Sequence, residues 1–225
     1  HTSGLTYGSF GDSFAKRRLK KSILGKRPLP KSMTSESFVN ELIKYPLAFH
    51  PGKNWEYSHS TDVLGRVIEL VASTSLEMFL TDNIFIPLKM KDTGFFVNKK
   101  NWNRIAETFK EKEPSLINIT EKPLFFKGGH GLVSTVHDYM NFCQMLLDNG
   151  KFEDKQLISK KTVEYMTSNH LHSNIKRDSY YIPGNGYGFG LGFAVREHEG
   201  VSVWPGSKGD YYWLGYAGTY FWIDP

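Results

Sequence analysis

At 225 residues, 40% hydrophobic and 23% charged, the chain can bury a sizeable core and has the composition of a soluble globular protein. Its single cysteine, Cys143, excludes a disulfide within the chain and argues against a thiol-ligated zinc site; beside Phe142, Leu146 and Leu147 it reads as a small buried hydrophobe. No stretch approaches the ~18 apolar residues of a membrane span and no signal peptide is present, while a chain that starts at His1 leaves any N-terminal targeting segment, and so the compartment, open.

The net charge of +5 is modest, but seven of the twelve residues from Lys16 to Arg27 are Lys or Arg. Such a run is either an anionic-surface patch or a solvated loop or helix face. With no zinc-finger, RNA-binding or heptad pattern beside it, the solvated face is expected, and no nucleic-acid partner. Residues 1–33, rich in Gly, Ser, Lys and Pro, read as loop with one short basic helix at most. A helix is predicted from Ser35 to Lys44, capped by Thr34, with Phe38 and Leu42 on one face and Pro46 to stop it. Asp62 to Ala72 follows, with Val63, Leu64, Val67, Ile68 and Val71 on one apolar stripe. Leu76 to Ile84 is another helix, ending before Pro87. Thr135 to Asp148 is the most regular: Thr135 and Asp138 form a capping-box-like pair, and Asn149-Gly150 closes it. Ser159 caps a short helix to Ser168.

After Gly186 the period changes. Tyr187, Phe189, Leu191, Phe193 and Val195 alternate with small residues as a strand does, and Val201–Trp204 and Gly218–Asp224 read likewise. Seven rings between Tyr211 and Trp222 suggest a half-buried sheet beside a cleft. Helices followed by closely spaced strands give an α+β class with an antiparallel sheet. One domain over 1–225 is expected, with about 1–180 mostly helix and loop and about 186–225 forming strands.

The sequence contains no G-x-S-x-G elbow, Walker loop, H-E-x-x-H or dinucleotide fingerprint, and neither motif nor composition implies a metal or an organic cofactor. Gly128, Gly129 and Gly131 precede a helix, where they could cradle an anion or form a tight packing turn; the turn is the expectation.

Five stretches in order carry a resemblance. His1-Thr2-Ser3-Gly4-Leu5 is followed by Trp55-Glu56-Tyr57-Ser58-His59-Ser60-Thr61-Asp62-Val63-Leu64-Gly65 and by Pro87-Leu88-Lys89-Met90-Lys91-Asp92-Thr93-Gly94-Phe95. Then come Gly128-Gly129-His130-Gly131-Leu132-Val133-Ser134-Thr135 and Trp213-Leu214-Gly215-Tyr216-Ala217-Gly218-Thr219. Together they resemble the serine β-lactamase-like and penicillin-binding-protein-like hydrolases, the group of class C β-lactamases and family VIII carboxylesterases: the H-T-S-G-L turn, the tyrosine motif, P-L-G-M-x-D-T-x-F, the G-G-x-G-L-x-S-T helix start, and the W-x-G or H-x-G version of the K-T-G strand. The resemblance implies a β-lactamase/transpeptidase-like fold and a serine hydrolase working through an acyl-enzyme. It implies that Tyr57 transfers protons, that the backbone N–H of Tyr216 is one oxyanion donor, and that His59, Trp213 and Gly215 contact substrate. A core tyrosine ahead of a helix is the competing reading of Tyr57, and strand packing competes with substrate contact for Trp213 and Gly215.

Two departures bear on the substrate. His59 stands where lactamases and many peptidases carry an Asn amide, and Trp213 replaces the Lys that attracts a substrate carboxylate. Both point to neutral carboxylic esters, with β-lactamase or D,D-carboxypeptidase as the alternative and a non-catalytic scaffold or binding protein as the reading from another class. The partner is a small-molecule ester or amide; oligomeric state is not legible.

The nucleophilic Ser and its Lys belong to an S-x-x-K motif that, in the family, precedes H-T-S-G-L. Ser13-Phe14-Ala15-Lys16 follows that turn and runs into the basic stretch, where no buried helix is expected, and Ser173-Asn174-Ile175-Lys176 lies in polar sequence. The expectation is therefore a fragment, incomplete at both ends, that lacks the nucleophile and is inactive alone.

Overall fold

The computed structural model describes residues 1–26, 28–106, 118–177 and 180–225, which gather into two compact units. Arg27, the end of the basic run, lies outside the described residues.

The first unit comprises His1–Ile84, Asp92–Val133 and Asn174–Tyr181. It opens with helix α1, Phe14–Lys20, whose N-cap Ser13 accepts a hydrogen bond from the Lys16 amide. Arg17, Arg18 and Lys20 occupy its last turn, where cations offset the exposed carbonyl dipoles. The basic stretch is thus not a uniformly solvated face. Ala15, Lys16 and Leu19 are buried, and Leu19 and Leu24 join Met33, Phe38, Leu42 and Phe125 in a core cluster. The expectation that no buried helix forms at Ser13 is corrected: the cap and the apolar positions 15, 19 and 24 suffice to seat a short one.

Helix α2, Ser35–Leu42, carries the expected Thr34 cap in reciprocal form: Thr34 Oγ1 accepts from the Ser37 amide at 3.1 Å and Ser37 Oγ from the Thr34 amide at 2.9 Å. A parallel pair then joins β1, Asn54–Trp55, to β4, Lys176–Arg177. Helix α3 spans Ser60–Ala72 and α4 spans Leu76–Leu80, followed by a wide turn over Thr81–Phe85.

The predicted helix at Asp62–Ala72 exists, but only part of its apolar stripe is packed: Val63 and Ile68 lie partly buried against core clusters. Leu64, Val67 and Val71 are exposed, and the buried residues of α3 are Asp62 and Gly65. Polar anchors hold this face. Asp62 accepts from the Gly129 amide at 2.9 Å, and Glu69 accepts from the Ser35 hydroxyl, from Arg66 and from the Leu76 amide. Gly65 lies against Gly128, where a Cβ would sit 3.3 Å from the Gly128 Cα.

The second unit comprises Phe85–Lys91, Ser134–Ser173 and Ile182–Pro225. Helix α5, Val136–Leu147, starts at Thr135, whose hydroxyl accepts from the Asp138 amide, and ends through Asn149 and Gly150 at positive φ, as predicted. A small hairpin of β2, Lys151–Phe152, and β3, Lys155–Gln156, leads to α6, Lys160–Met166, capped by Ser159. Four antiparallel strands follow in spatial order: β5 Tyr187–Phe189, β6 Ala194–Arg196, β7 Tyr211–Leu214 and β8 Tyr220–Ile223.

Two strand expectations need correction. The alternating run from Tyr187 to Val195 is a hairpin, not one strand, because Gly190 donates to the Phe193 carbonyl at 2.8 Å and Gly192 turns the chain at φ 95°. Val201–Trp204 is loop. Its backbone is held by the buried Arg196, which donates to the carbonyls of Trp204 and Pro205 and to Asp210 Oδ2. Val203 and Trp204 point to solvent.

Candidate functional site

Tyr57 and His59 belong to the first unit, and Trp213, Gly215 and Tyr216 to the second. Each half is built by its own local sequence.

In the first half, Tyr57 lies between β1 and the start of α3, and its ring is half-buried. The His1 ring meets it edge-on at 4.8 Å, and the Tyr7 ring lies 5.2 Å away. The backbone on either side is pinned. The Glu56 amide donates to the His1 carbonyl at 2.9 Å, and Ser58 Oγ, fully buried, contacts Ser60 Oγ at 2.8 Å and His1 Nδ1 at 3.3 Å. Ser60 Oγ continues to Ser3 Oγ at 2.7 Å, so three hydroxyls tie the H-T-S-G-L turn to the tyrosine motif.

His59 is buried between the rings of Tyr7 and Phe38. Its Nδ1 lies 2.7 Å from Asp62 Oδ2, while Nε2 has no hydrogen-bond partner among the described residues. Burial by itself would raise the Asp62 pKa. The His59 hydrogen bond, the His59 and His130 charges and the Gly129 amide outweigh it and hold the carboxyl below its ordinary value. With 1% of its surface exposed, His59 ties the motif to Asp62.

Asp62 also explains the glycine cluster. The Gly129 amide is committed to Asp62, and a Cβ at Gly128 would collide with the Thr61 carbonyl oxygen. Gly128 and Gly129 form a packing turn against α3, as the sequence favoured over an anion cradle.

In the second half, Trp213 pairs with Phe221 and Leu214 with Tyr220 across β7 and β8. Gly215 donates to the Thr219 carbonyl at 2.8 Å and Gly218 to the Gly215 carbonyl at 3.0 Å, with Gly218 at φ 80°. A side chain at Gly215 would collide with Thr219 Oγ1, so the glycine is required for the tight return. Tyr216 sits at the tip, 78% exposed, and among the described residues its N–H meets no acceptor. The Trp213 ring rests edge-on against Phe189 at 5.4 Å and packs on the cluster of Tyr187, Ala194 and Tyr212. Burial pushes the phenols of Tyr211 and Tyr212 up to about 12. Burial likewise raises the thiol of Cys143, which is half-buried and not fully so.

Neither S-x-x-K string is arranged as a nucleophile and its base. Ser13 Oγ caps α1, and Lys16 Nζ forms a 2.7 Å ion pair with Glu56 Oε2. Lys176 lies in β4, exposed, with its amide bonded to the Lys53 carbonyl at 3.0 Å. Both strings instead brace the segment that bears Tyr57, a use that only residues distant in sequence reveal. Among the described residues, no group of three or more His, Cys, Asp or Glu could hold a metal ion, and no helix is long and apolar enough to cross a membrane.

The sequence profile of the Beta-lactamase family matches residues 1–225. The chain belongs to the Beta-lactamase family. Protein Rv1367c of Mycobacterium tuberculosis is 29% identical over 94% of this chain and 56% of its own length. Lovastatin esterase of Penicillium rubens is 29% identical over 76% of this chain and 43% of its own length. The chain thus spans about half the length of the curated relatives it matches. Among solved structures, EstCE1, described as a hydrolase with promiscuous acyltransferase activity, superposes with a TM-score of 0.80 at 26% identity, covering 100% of this chain and 62% of that one. The fold is β-lactamase/transpeptidase-like, helices with an antiparallel sheet, as the motif order implied, and the relatives of this Beta-lactamase family chain include hydrolases and acyltransferases.

Proposed function

We propose that the protein is a serine hydrolase that cleaves neutral carboxylic esters through an acyl-enzyme. Tyr57 is its proton-transfer group and the Tyr216 N–H one of two oxyanion donors. The observation that carries this reading is the Trp213–Thr219 turn. An uncharged indole stands where K-T-G has its lysine, next to an N–H that meets no acceptor and is positioned by a glycine-closed return.

The chemistry needs a serine whose oxygen attacks the ester carbonyl. Its proton passes to Tyr57 Oη and on to the departing alkoxide; water then repeats the sequence on the acyl-enzyme. A free phenol has a pKa near 10, so the lysine of S-x-x-K must stand close enough to favour the phenolate. Ser13–Lys16 and Ser173–Lys176 do not supply that pair, because Lys16 is committed to Glu56 and Lys176 to a strand. The serine and lysine of the mechanism belong to another S-x-x-K. An oxyanion donor such as the Tyr216 N–H lowers the barrier by about 3 kcal/mol in comparable acyl-transfer sites. His59, closed off from solvent, acts by fixing the start of α3. The absence of a lysine at position 213 removes the attraction for the carboxylate that β-lactams and D-peptides carry.

The test compares nitrophenyl esters with a chromogenic cephalosporin on the natural full-length protein. Ester cleavage with an acyl-serine adduct detected by mass spectrometry is expected. Rapid cephalosporin turnover without ester cleavage would contradict the substrate assignment, and no serine adduct with either substrate would favour a binding protein on the same fold.

A further inference from the structure

Lys16 is a basic residue that the proposed mechanism leaves unused, and its environment is unlike that of a solvated cation. Its side chain is 10% exposed and forms a 2.7 Å ion pair with Glu56, itself 5% exposed. The loop before α1 closes over this pair: Gly11, at φ 75°, approaches so near that a Cβ there would lie 3.3 Å from Lys16 Nζ. Glu56 Oε1 is buried without a hydrogen-bond partner among the described residues, so Lys16 is what compensates the carboxylate. Glu56 directly precedes Tyr57, and its amide is bonded to the carbonyl of His1, whose ring in turn lies against Tyr57.

We infer that the buried Lys16–Glu56 ion pair positions Tyr57 for proton transfer. The inference rests on the proposed role of Tyr57. The segment from Trp55 to His59 is held by β1 pairing at Trp55, the ion pair and the amide bond to His1 at Glu56, the Ser58 hydroxyl contacts, and the His59–Asp62 contact at the start of α3. Of these, the ion pair and the Ser58 contacts flank the reacting residue. Loss of Lys16 leaves a buried carboxylate that will seek water and drag the backbone with it. A displacement of about 1 Å at a reacting group can lower a rate on the order of a hundredfold. Lys16 is a positioning residue in this scheme, with no contact to substrate.

The test separates positioning from stability. Lys16→Met in the natural full-length protein should lower both the melting temperature and the rate of serine acylation. The double variant Lys16→Met with Glu56→Leu replaces the pair by apolar side chains, an exchange that often preserves stability. It should regain the melting temperature while acylation stays down by about 10- to 100-fold, with KM unchanged. Labelled-tyrosine NMR on the same proteins should show the contacts between the Tyr57 and Tyr7 rings weakened in the double variant. Recovery of acylation to within about twofold of wild type, with those ring contacts intact, overturns the inference. If the unmodified protein cleaves no ester, the functional reading fails, and the NMR comparison alone then decides whether the ion pair orients Tyr57.

Discussion

The surroundings of Tyr57 and of Trp213 are stabilised by opposite means. Around Tyr57 the polar contacts are Lys16 with Glu56 and His59 with Asp62, both buried, and three linked serine hydroxyls, of which Ser58 is fully buried. Around Trp213 the interior is aromatic, with Tyr187 edge-on to Tyr212, Phe193 tilted against Tyr211, and a buried ion pair, Arg196 with Asp210, fastening the loop before β7. Burying ions costs more than burying rings and returns directionality. A proton-transfer phenol needs a fixed direction, whereas an oxyanion donor on the backbone needs only a turn whose closure is dictated by glycines. The difference in construction fits the roles proposed for Tyr57 and Tyr216.

Cutting one polar contact in the first region should have the largest effect on stability. Asp62→Ala leaves His59 buried without its partner and the Gly129 amide without its acceptor, and should cost about 3–5 kcal/mol in chemical denaturation. A loss below about 1 kcal/mol would mean that the network is incidental. Next, Gly128→Ala forces a methyl group into the Thr61 carbonyl and should cost about 1–3 kcal/mol by the same measurement. An unchanged midpoint would refute the packing role of the glycine turn.

The two regions should also fail at opposite ends of the pH scale. The Asp62 pKa is lowered from 3.8 in the fold, so its contribution is complete above about that value and is lost as pH falls through the folded value. Burial pushes Tyr139, Tyr211 and Tyr212 from 10.0 to about 12, so their contribution is complete below pH 10 and disappears as pH rises to 12. Asp62→Asn should flatten the acid limb of a stability profile and Tyr211→Phe the alkaline limb. Interchanged effects would contradict the contrast drawn above.

Much of this was legible in the sequence where the signal is local. Thr34, Thr135 and Ser159 each cap the helix they announce, because a capping hydroxyl acts within three residues of itself. The tyrosine motif and the W-x-G turn fall where the motif order puts them, before α3 and at the end of β7. Signals failed where two structures share one pattern. Glycines alternating with aromatics from Tyr187 to Val195 match a strand, yet Gly190 and Gly192 make the turn of a hairpin. Signals also failed where the decisive partner is distant. The fully buried positions of α3, Asp62 and Gly65, are set by Gly129 and Gly128, and the role of Lys16 by Glu56, forty residues on; neither can be read from periodicity. The basic run looked solvated because charge counts do not show which cation has a buried partner.

The smallest expected effect lies in substrate preference. Trp213→Lys restores the charge of K-T-G and should lower KM for a carboxylate-bearing ester by about tenfold relative to its neutral analogue, about 1.4 kcal/mol of differential binding. An unchanged ratio would show that position 213 packs the sheet without facing substrate.

The most direct test of the central claim is the acylation burst of the natural full-length protein with a nitrophenyl ester, compared between wild type and Tyr57→Phe. With the fold intact by circular dichroism, the burst rate should fall by at least ~100-fold, the usual scale for removing a proton-transfer group. A burst of unchanged rate would take Tyr57 out of the mechanism and leave its polar surroundings as scaffold alone.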